Sequence, residues 1–183
     1  AAHTFSEAAE ECSRLYGETF PLDTSTPGEG RVGITGWFPA GPVLAITPFN
    51  FPLNLVAHKL APAVAAGCPV IVKPASATPL TALRLAEIMI CAGLPEGALS
   101  VLPASGAEAG RLAERPEITR VTFTGSAAVG WELKRRAHMK KVTLELGGNA
   151  AVIVHGDWGD IPGAAARIAV GGYAYSGQVC ISV

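Results

Sequence analysis

One short apolar run without a break, residues 42–47, opens a regular alternation of strand-like segments with stretches of helical spacing that stop at glycine. Further strands are read over residues 69–73, 99–102 and 120–123. A run with no polar alternation suits a strand buried on both faces, which is the signature of a parallel sheet. The helical stretches cover residues 52–66, ending at Gly67, and 79–92, ending at Gly93. The second opens on Thr78-Pro79, a capping hydroxyl followed by proline at the first helical position. Helices are also predicted over 106–113, 125–137 and 161–171, and strands over 142–144 and 151–154. Repeated strand–helix units of this length predict an α/β fold, a parallel sheet wound with helices. Ligands in such sheets sit at the carboxyl ends of the strands. Ahead of the alternation lie a helix over 5–15 that stops at Gly17, a turn-rich stretch over 21–30 and an extended segment over 31–38. In that last segment Val32, Ile34 and Trp37 would face a sheet or a partner.

Apolar residues make up 49% of the 183 and charged residues 16%, enough to bury a sizeable core. The net charge of −1 offers no basic excess for nucleic acid and no polybasic patch for a membrane surface. No apolar run reaches the length of a bilayer span. The four cysteines, Cys12, Cys68, Cys91 and Cys180, form no C-x-x-C pair. Neither a metal site nor a disulfide framework is therefore expected, and a reducing, cytoplasmic setting is the default. Cys12 and Cys91 are placed on apolar helix faces. The chain opens inside a helical pattern and closes on the apolar Ile181-Ser182-Val183, so both ends read as cut and the fold as truncated.

The residues that stand out lie where strands end. The first strand runs into Thr47-Pro48-Phe49-Asn50-Phe51-Pro52. Two prolines fix the backbone around one amide, which either caps the next helix or offers a rigid N–H donor to a developing oxyanion. The second strand ends in Lys73-Pro74, where the amine is either solvated or in reach of a ribose or phosphate. Phe123-Thr124-Gly125-Ser126 leads into a helix, and Gly125 and Gly130 give G-x-x-x-x-G. That spacing is neither the dinucleotide fingerprint nor a P-loop, yet the helix N-terminus presents free N–H groups to a phosphate. In Leu144-Glu145-Leu146-Gly147-Gly148-Asn149 a carboxylate stands between apolar residues. Burial would raise its pKa and make it a general base; pairing with Lys140 or Lys141 is the structural alternative. Cys180 follows Ser176-Gly177-Gln178-Val179, a turn that would expose its thiol as a nucleophile.

In this order, the five segments resemble the aldehyde dehydrogenase family over nearly the whole chain, and the family's members are more than twice as long. The resemblance implies a Rossmann-like variant of the parallel α/β fold. It implies that residues 1–20 and 40–148 belong to a cofactor-binding domain, residues 21–39 bridge subunits, and residues 149–183 begin a catalytic domain. By it, Cys180 attacks the aldehyde carbon, Asn50 holds the oxyanion and Glu145 activates water. Ser126 and its helix would meet the pyrophosphate of NAD or NADP, and Lys73 the adenosine ribose. Ile46, Thr47, Pro48, Phe49, Gly106, Gly125, Val129, Leu146 and Gly147 would line the cofactor cleft. Where NAD-specific members carry a carboxylate three residues after the lysine, this chain has Ser76, which removes repulsion of a 2′-phosphate and admits NADP. A further ribose-binding glutamate, the substrate-pocket loops and the assembly strand of the family fall outside this sequence. The expected partners are a small aldehyde and, for the full-length protein, further copies in a dimer or tetramer.

Two rival functions fit the same residues. In a coenzyme A-acylating branch a thiol takes the acyl group, although Glu145 favours water. An inactive nucleotide-binding piece, its sheet incompletely covered and prone to association, is the other. A cysteine hydrolase would need a positioned histidine. His3, His58, His138 and His155 sit in helices or strand ends without a supporting motif.

Overall fold

The computed structural model describes residues 1–182 and is an α/β structure with two sheets. Val183, the last residue of the terminal apolar stretch, lies outside the described residues.

Five strands form the parallel sheet: β3 (Val43–Ile46), β4 (Val70–Lys73), β5 (Leu99–Val101), β6 (Arg120–Gly125) and β7 (Lys141–Leu146), in the order β5-β4-β3-β6-β7. The strand that comes first lies in the middle. The chain winds from it to one edge, crosses back, and winds to the other. Helices make each crossover: α2 (Asn54–Ala65), α3 (Pro79–Cys91), α4 (Gly106–Glu114) and α5 (Ala127–Arg136). The reversal of direction falls between β3 and β6, and there the loops leaving the two strands part and open a crevice.

All four residues of β3 are buried, which explains its unbroken apolar sequence. Its alternate side chains serve two cores. Leu44 and Ile46 pack with Val121, Phe123 and the α4 and α5 residues Ala109, Ala113 and Leu133. Ala45 packs on the opposite face with Val70, Val72, Val56, Leu60 and Leu85 from β4, α2 and α3. Phe5 of α1 (Ala2–Cys12) joins that second face. Gly67 and Gly93 take left-handed φ values of 69° and 92° just past α2 and α3, where the sequence predicts the stops. Gly130 of α5 is required by packing: a Cβ there would come within 2.5 Å of Leu146 Cδ2. The G-x-x-x-x-G spacing thus seats a helix closely on its sheet.

Four expectations are corrected. The first helix starts and ends about a turn earlier than residues 5–15, and Cys12 and Cys91 are exposed. Thr78 takes the capping position of α3 without a side-chain cap bond, and its hydroxyl is buried with no hydrogen-bond partner among the described residues. Residues 151–154 form no strand: no neighbouring strand offers a ladder, and Ile153 is 89% exposed. Residues 31–38 contribute β2 (Val32–Ile34), which pairs with β1 (Thr19–Pro21) in an antiparallel hairpin. The hairpin and its exit leave Ile34, Trp37 and Phe38 exposed. After β7 an irregular stretch leads to α6 (Ile161–Tyr173), which buries no residue, and then a 3-10 turn, Ala174–Gly177. Among the described residues no helix is long and apolar enough to cross a membrane.

Candidate active site

A cleft of about 340 Å³ opens at the carboxyl ends of β3, β6 and β7. Its walls are Pro48, Phe49 and Asn50 after β3, Thr124 to Ser126 at the end of β6, and Glu145 to Gly148 at the end of β7. Residues 177–180 close the remaining side. Asn50, Glu145 and Cys180, picked from three separate motifs, therefore face one space, and Pro48, Phe49, Gly125, Ser126, Leu146 and Gly147 face it with them. Among the described residues no histidine lines the cleft.

Asn50 does not cap α2. The helix begins at Asn54, after Leu53 in the capping position. The Asn50 Nδ2 donates to the carbonyl of Gln178 at 2.7 Å, and its Oδ1 accepts from the Phe51 N–H at 3.2 Å. A side-chain amide has two N–H donors, so one remains for a ligand. Cys180 is exposed, on the turn that follows the 3-10 segment.

Glu145 departs from its expected setting. It is exposed, because β7 is an edge strand on which alternate residues turn to solvent. It forms no ion pair with Lys140 or Lys141 among the described residues. Lys140 instead donates to the carbonyls of Ala113 and Arg115 at 2.6 and 2.5 Å, closing the end of α4. Glu145 is thus a solvent-accessible carboxylate at the cleft wall.

Lys73 is the last residue of β4, paired in register with Ile46, and is 8% exposed. Burial holds its amine below the usual lysine range. Ser76 follows on the exposed loop. The Ile46 side chain is spent on the core, whereas the Thr47 hydroxyl beside it is buried and has no hydrogen-bond partner among the described residues. Ser126 starts α5 without capping it, so the free N–H groups of the first turn face outward. Gly106 opens α4, and Val129 is half exposed on the first turn of α5. Orphaned hydroxyl, uncapped helix start and buried lysine suit a phosphate-bearing dinucleotide along these strand ends.

One functional group escaped the sequence reading. Lys59 lies on the buried face of α2 and donates to Thr122 Oγ1 at 3.0 Å. Burial lowers its pKa to about 8, and the negative charge of Glu145 opposes part of that fall. The signal was present: Lys59 interrupts an apolar face made by Val56, Ala57 and Leu60.

A doubly wound parallel sheet with a cleft at its switch point places this chain among the ligand-binding α/β proteins. The chain belongs to the aldehyde dehydrogenase family, whose model matches residues 1–183. It is similar to 3-sulfolactaldehyde dehydrogenase of Priestia megaterium, 50% identical over all of this chain and 38% of that protein. The structure of aldehyde dehydrogenase 21 from Physcomitrella patens in complex with the reaction product succinate superposes with a TM-score of 0.91. It is 49% identical over 99% of this chain and 38% of that one. The NADP-dependent glyceraldehyde-3-phosphate dehydrogenase of Bacillus halodurans C-125, complexed with NADP, gives a TM-score of 0.90 at 39% identity. That match covers 98% of this chain and 38% of that one. The chain thus spans a little over a third of the length of these relatives.

Proposed function

We propose that this chain carries the cofactor cleft and the nucleophile of an enzyme that oxidises an aldehyde to a carboxylic acid with NAD or NADP. The observation that carries the reading is the convergence of Asn50, Glu145 and Cys180 on one cleft at the switch point of the sheet. Residues 1–20 and 40–148 then form part of the cofactor domain, and residues 149–183 begin the catalytic domain. Residues 21–39 bridge subunits in a homo-oligomer, a use that suits the exposure of Ile34, Trp37 and Phe38. The three relatives act on, or hold as product, small molecules bearing a sulfonate, a carboxylate or a phosphate. An aldehyde with an anionic substituent is accordingly the substrate class.

Bound NAD or NADP supplies the hydride acceptor. Ser126 and the first turn of α5 hold its pyrophosphate, Lys73 and Ser76 its adenosine ribose, and Thr47, Gly106, Val129 and Leu146 line its path. Ser76 brings no charge against a 2′-phosphate, so NADP is accepted as well as NAD. The Cys180 thiolate adds to the aldehyde carbon, forming a C–S bond and an alkoxide. The free Asn50 N–H and the Cys180 backbone N–H stabilise that alkoxide. Loss of hydride from the same carbon leaves a thioester on Cys180. Glu145 removes a proton from water as the water attacks the thioester carbonyl, and the C–S bond breaks to release the acid and the thiolate.

The test is nicotinamide reduction, followed by absorbance, with NAD and NADP in parallel against succinate semialdehyde, glyceraldehyde 3-phosphate and benzaldehyde. Turnover with the anionic aldehydes that disappears in Cys180→Ala is expected. Glu145→Gln should give one burst of reduced cofactor per site and then stall at the thioester. Sustained turnover of Cys180→Ala would sink the reading. Full turnover of Glu145→Gln with added coenzyme A would favour the acylating branch, and cofactor binding without any turnover the nucleotide-binding piece.

A further inference from the structure

Nothing in the core explains why residues 177–180 lie against the cleft, because α6 and the turn after it bury no side chain. Three consecutive residues, Tyr175, Ser176 and Gly177, hold left-handed φ values of 51°, 57° and 71°. Two of them are not glycine, and a backbone like that persists only where its surroundings fix it. Two contacts reach across to the loop after β3. The Tyr175 ring packs on Phe51, with centroids 4.8 Å apart and planes inclined at 56°. The Gln178 carbonyl accepts the Asn50 amide at 2.7 Å. The ties flank the chemistry, since Phe51 adjoins Asn50 and Gln178 lies two residues before Cys180. On the far side of Cys180, the Ser182 hydroxyl donates toward the carbonyls of Gly171 and Gly172 in the last turn of α6, at 3.2 and 3.1 Å. The cysteine turn is therefore closed back on α6 and hung from the Asn50 loop.

We infer that Tyr175 and the Gln178 carbonyl are positioning groups, a clamp that fixes the Asn50 amide relative to the Cys180 thiol. The inference rests on the proposed roles of those two residues. Tyr175 touches no reacting atom. It acts by keeping Phe51, and with it Asn50, in register with the left-handed turn. The ring does this work and the phenol hydroxyl has no part in it, so phenylalanine should serve as well as tyrosine. The Gln178 contact is made by the backbone, so it depends on the turn and not on the glutamine side chain.

The test uses p-nitrophenyl acetate, which needs no cofactor. The thiolate attacks the ester carbonyl, a C–S bond forms, the bond between the acetyl carbon and the phenolic oxygen breaks, and p-nitrophenolate leaves as a coloured burst. Asn50→Ala should slow the burst about 100-fold through loss of the oxyanion donor. Tyr175→Ala should slow it about 10- to 100-fold, and Tyr175→Phe should restore it to within about twofold. Tyr175→Ala combined with Asn50→Ala should be no slower than Asn50→Ala alone, because Tyr175 acts through that amide. Circular dichroism of each variant checks that the fold is kept. An unchanged burst in folded Tyr175→Ala, or losses that multiply in the double variant, would overturn the clamp. A wild-type burst that survives Cys180→Ala, or no wild-type burst at all, would overturn the assignment of Cys180 and the clamp with it.

Discussion

The wound sheet and the segment after it differ in how they hold their apolar residues. In the sheet, β3, β4 and β6 bury nearly every apolar side chain between two layers of helices. Beyond β7, Val152, Ile153, Val154, Ile161 and Val170 are as apolar in sequence, yet all are exposed and α6 buries nothing. An apolar pattern makes a core only where the chain supplies the second layer to receive it. The thiol sits in the second region and its partners in the first. Cys180 thus owes its position to a hydrogen bond and a ring contact, directional ties that carry little cohesive energy.

The largest effect should separate the two regions outright. Leu44 is fully buried at the centre of the sheet, and Leu44→Ala should cost about 3–5 kcal/mol of unfolding free energy. Ile153→Ala, at an exposed position, should stay within about 0.5 kcal/mol of the parent. Urea denaturation followed by circular dichroism measures both. Comparable losses would mean that the later segment packs on the sheet as tightly as the sheet packs on itself.

The same contrast explains what could be read from the sequence. The parallel sheet was legible because strands buried on both faces lose their polar alternation, and residues 42–47 have none. The convergence of Asn50, Glu145 and Cys180 was legible only as an ordered set of motifs that resemble a family. No spacing rule brings residues 50 and 180 together. The setting of Glu145 was misread because flanking leucines suggest burial, whereas its place on an edge strand depends on the order of the sheet. The strand expected over 151–154 failed because a strand needs a partner that the pattern cannot reveal. The ring pair of Phe51 and Tyr175 follows from three left-handed residues in succession, and Tyr175 and Ser176 do not announce that conformation.

A charge inside the sheet layer gives an intermediate effect with a defined pH dependence. Lys59 titrates near 8 in the folded chain against 10.5 as its ordinary value. Below pH 8 both folded and unfolded chains carry the proton, and the folded chain bears the full cost of burying it. Between pH 8 and 10.5 the folded chain releases the proton first, so the cost is relieved as pH rises. That cost is about 3 kcal/mol, offset in part by the bond to Thr122. Lys59→Met should therefore stabilise the chain by about 1–3 kcal/mol at pH 7. Its advantage over the parent should shrink toward zero as pH approaches 10.5. An advantage independent of pH would show that the lysine is not held in a desolvated site.

The smallest effect compares one chemistry placed in both regions. Ser105 caps α4 in a reciprocal box: its hydroxyl accepts from the Glu108 N–H at 3.2 Å, and the Glu108 carboxylate accepts from the Ser105 N–H at 2.7 Å. Asp160 caps α6, its Oδ1 accepting from the Gly163 N–H at 2.9 Å. The box satisfies two orphaned donors and the Asp160 cap one, and each cap is worth about 1 kcal/mol to its own helix. Helix α4 is tied to the core through Ala109 and Ala113, so loss of its cap is transmitted to the whole fold. Ser105→Ala should lower global stability by about 1 kcal/mol. Helix α6 has no buried side chain, so its fraying is uncoupled from the melting of the sheet. Asp160→Ala should leave the urea midpoint unchanged while speeding amide hydrogen exchange in the first turn of α6. A global loss from Asp160→Ala equal to that from Ser105→Ala would place α6 inside the cooperative unit, and the turn bearing Cys180 would then be held by more than the ties to Asn50 and Phe51.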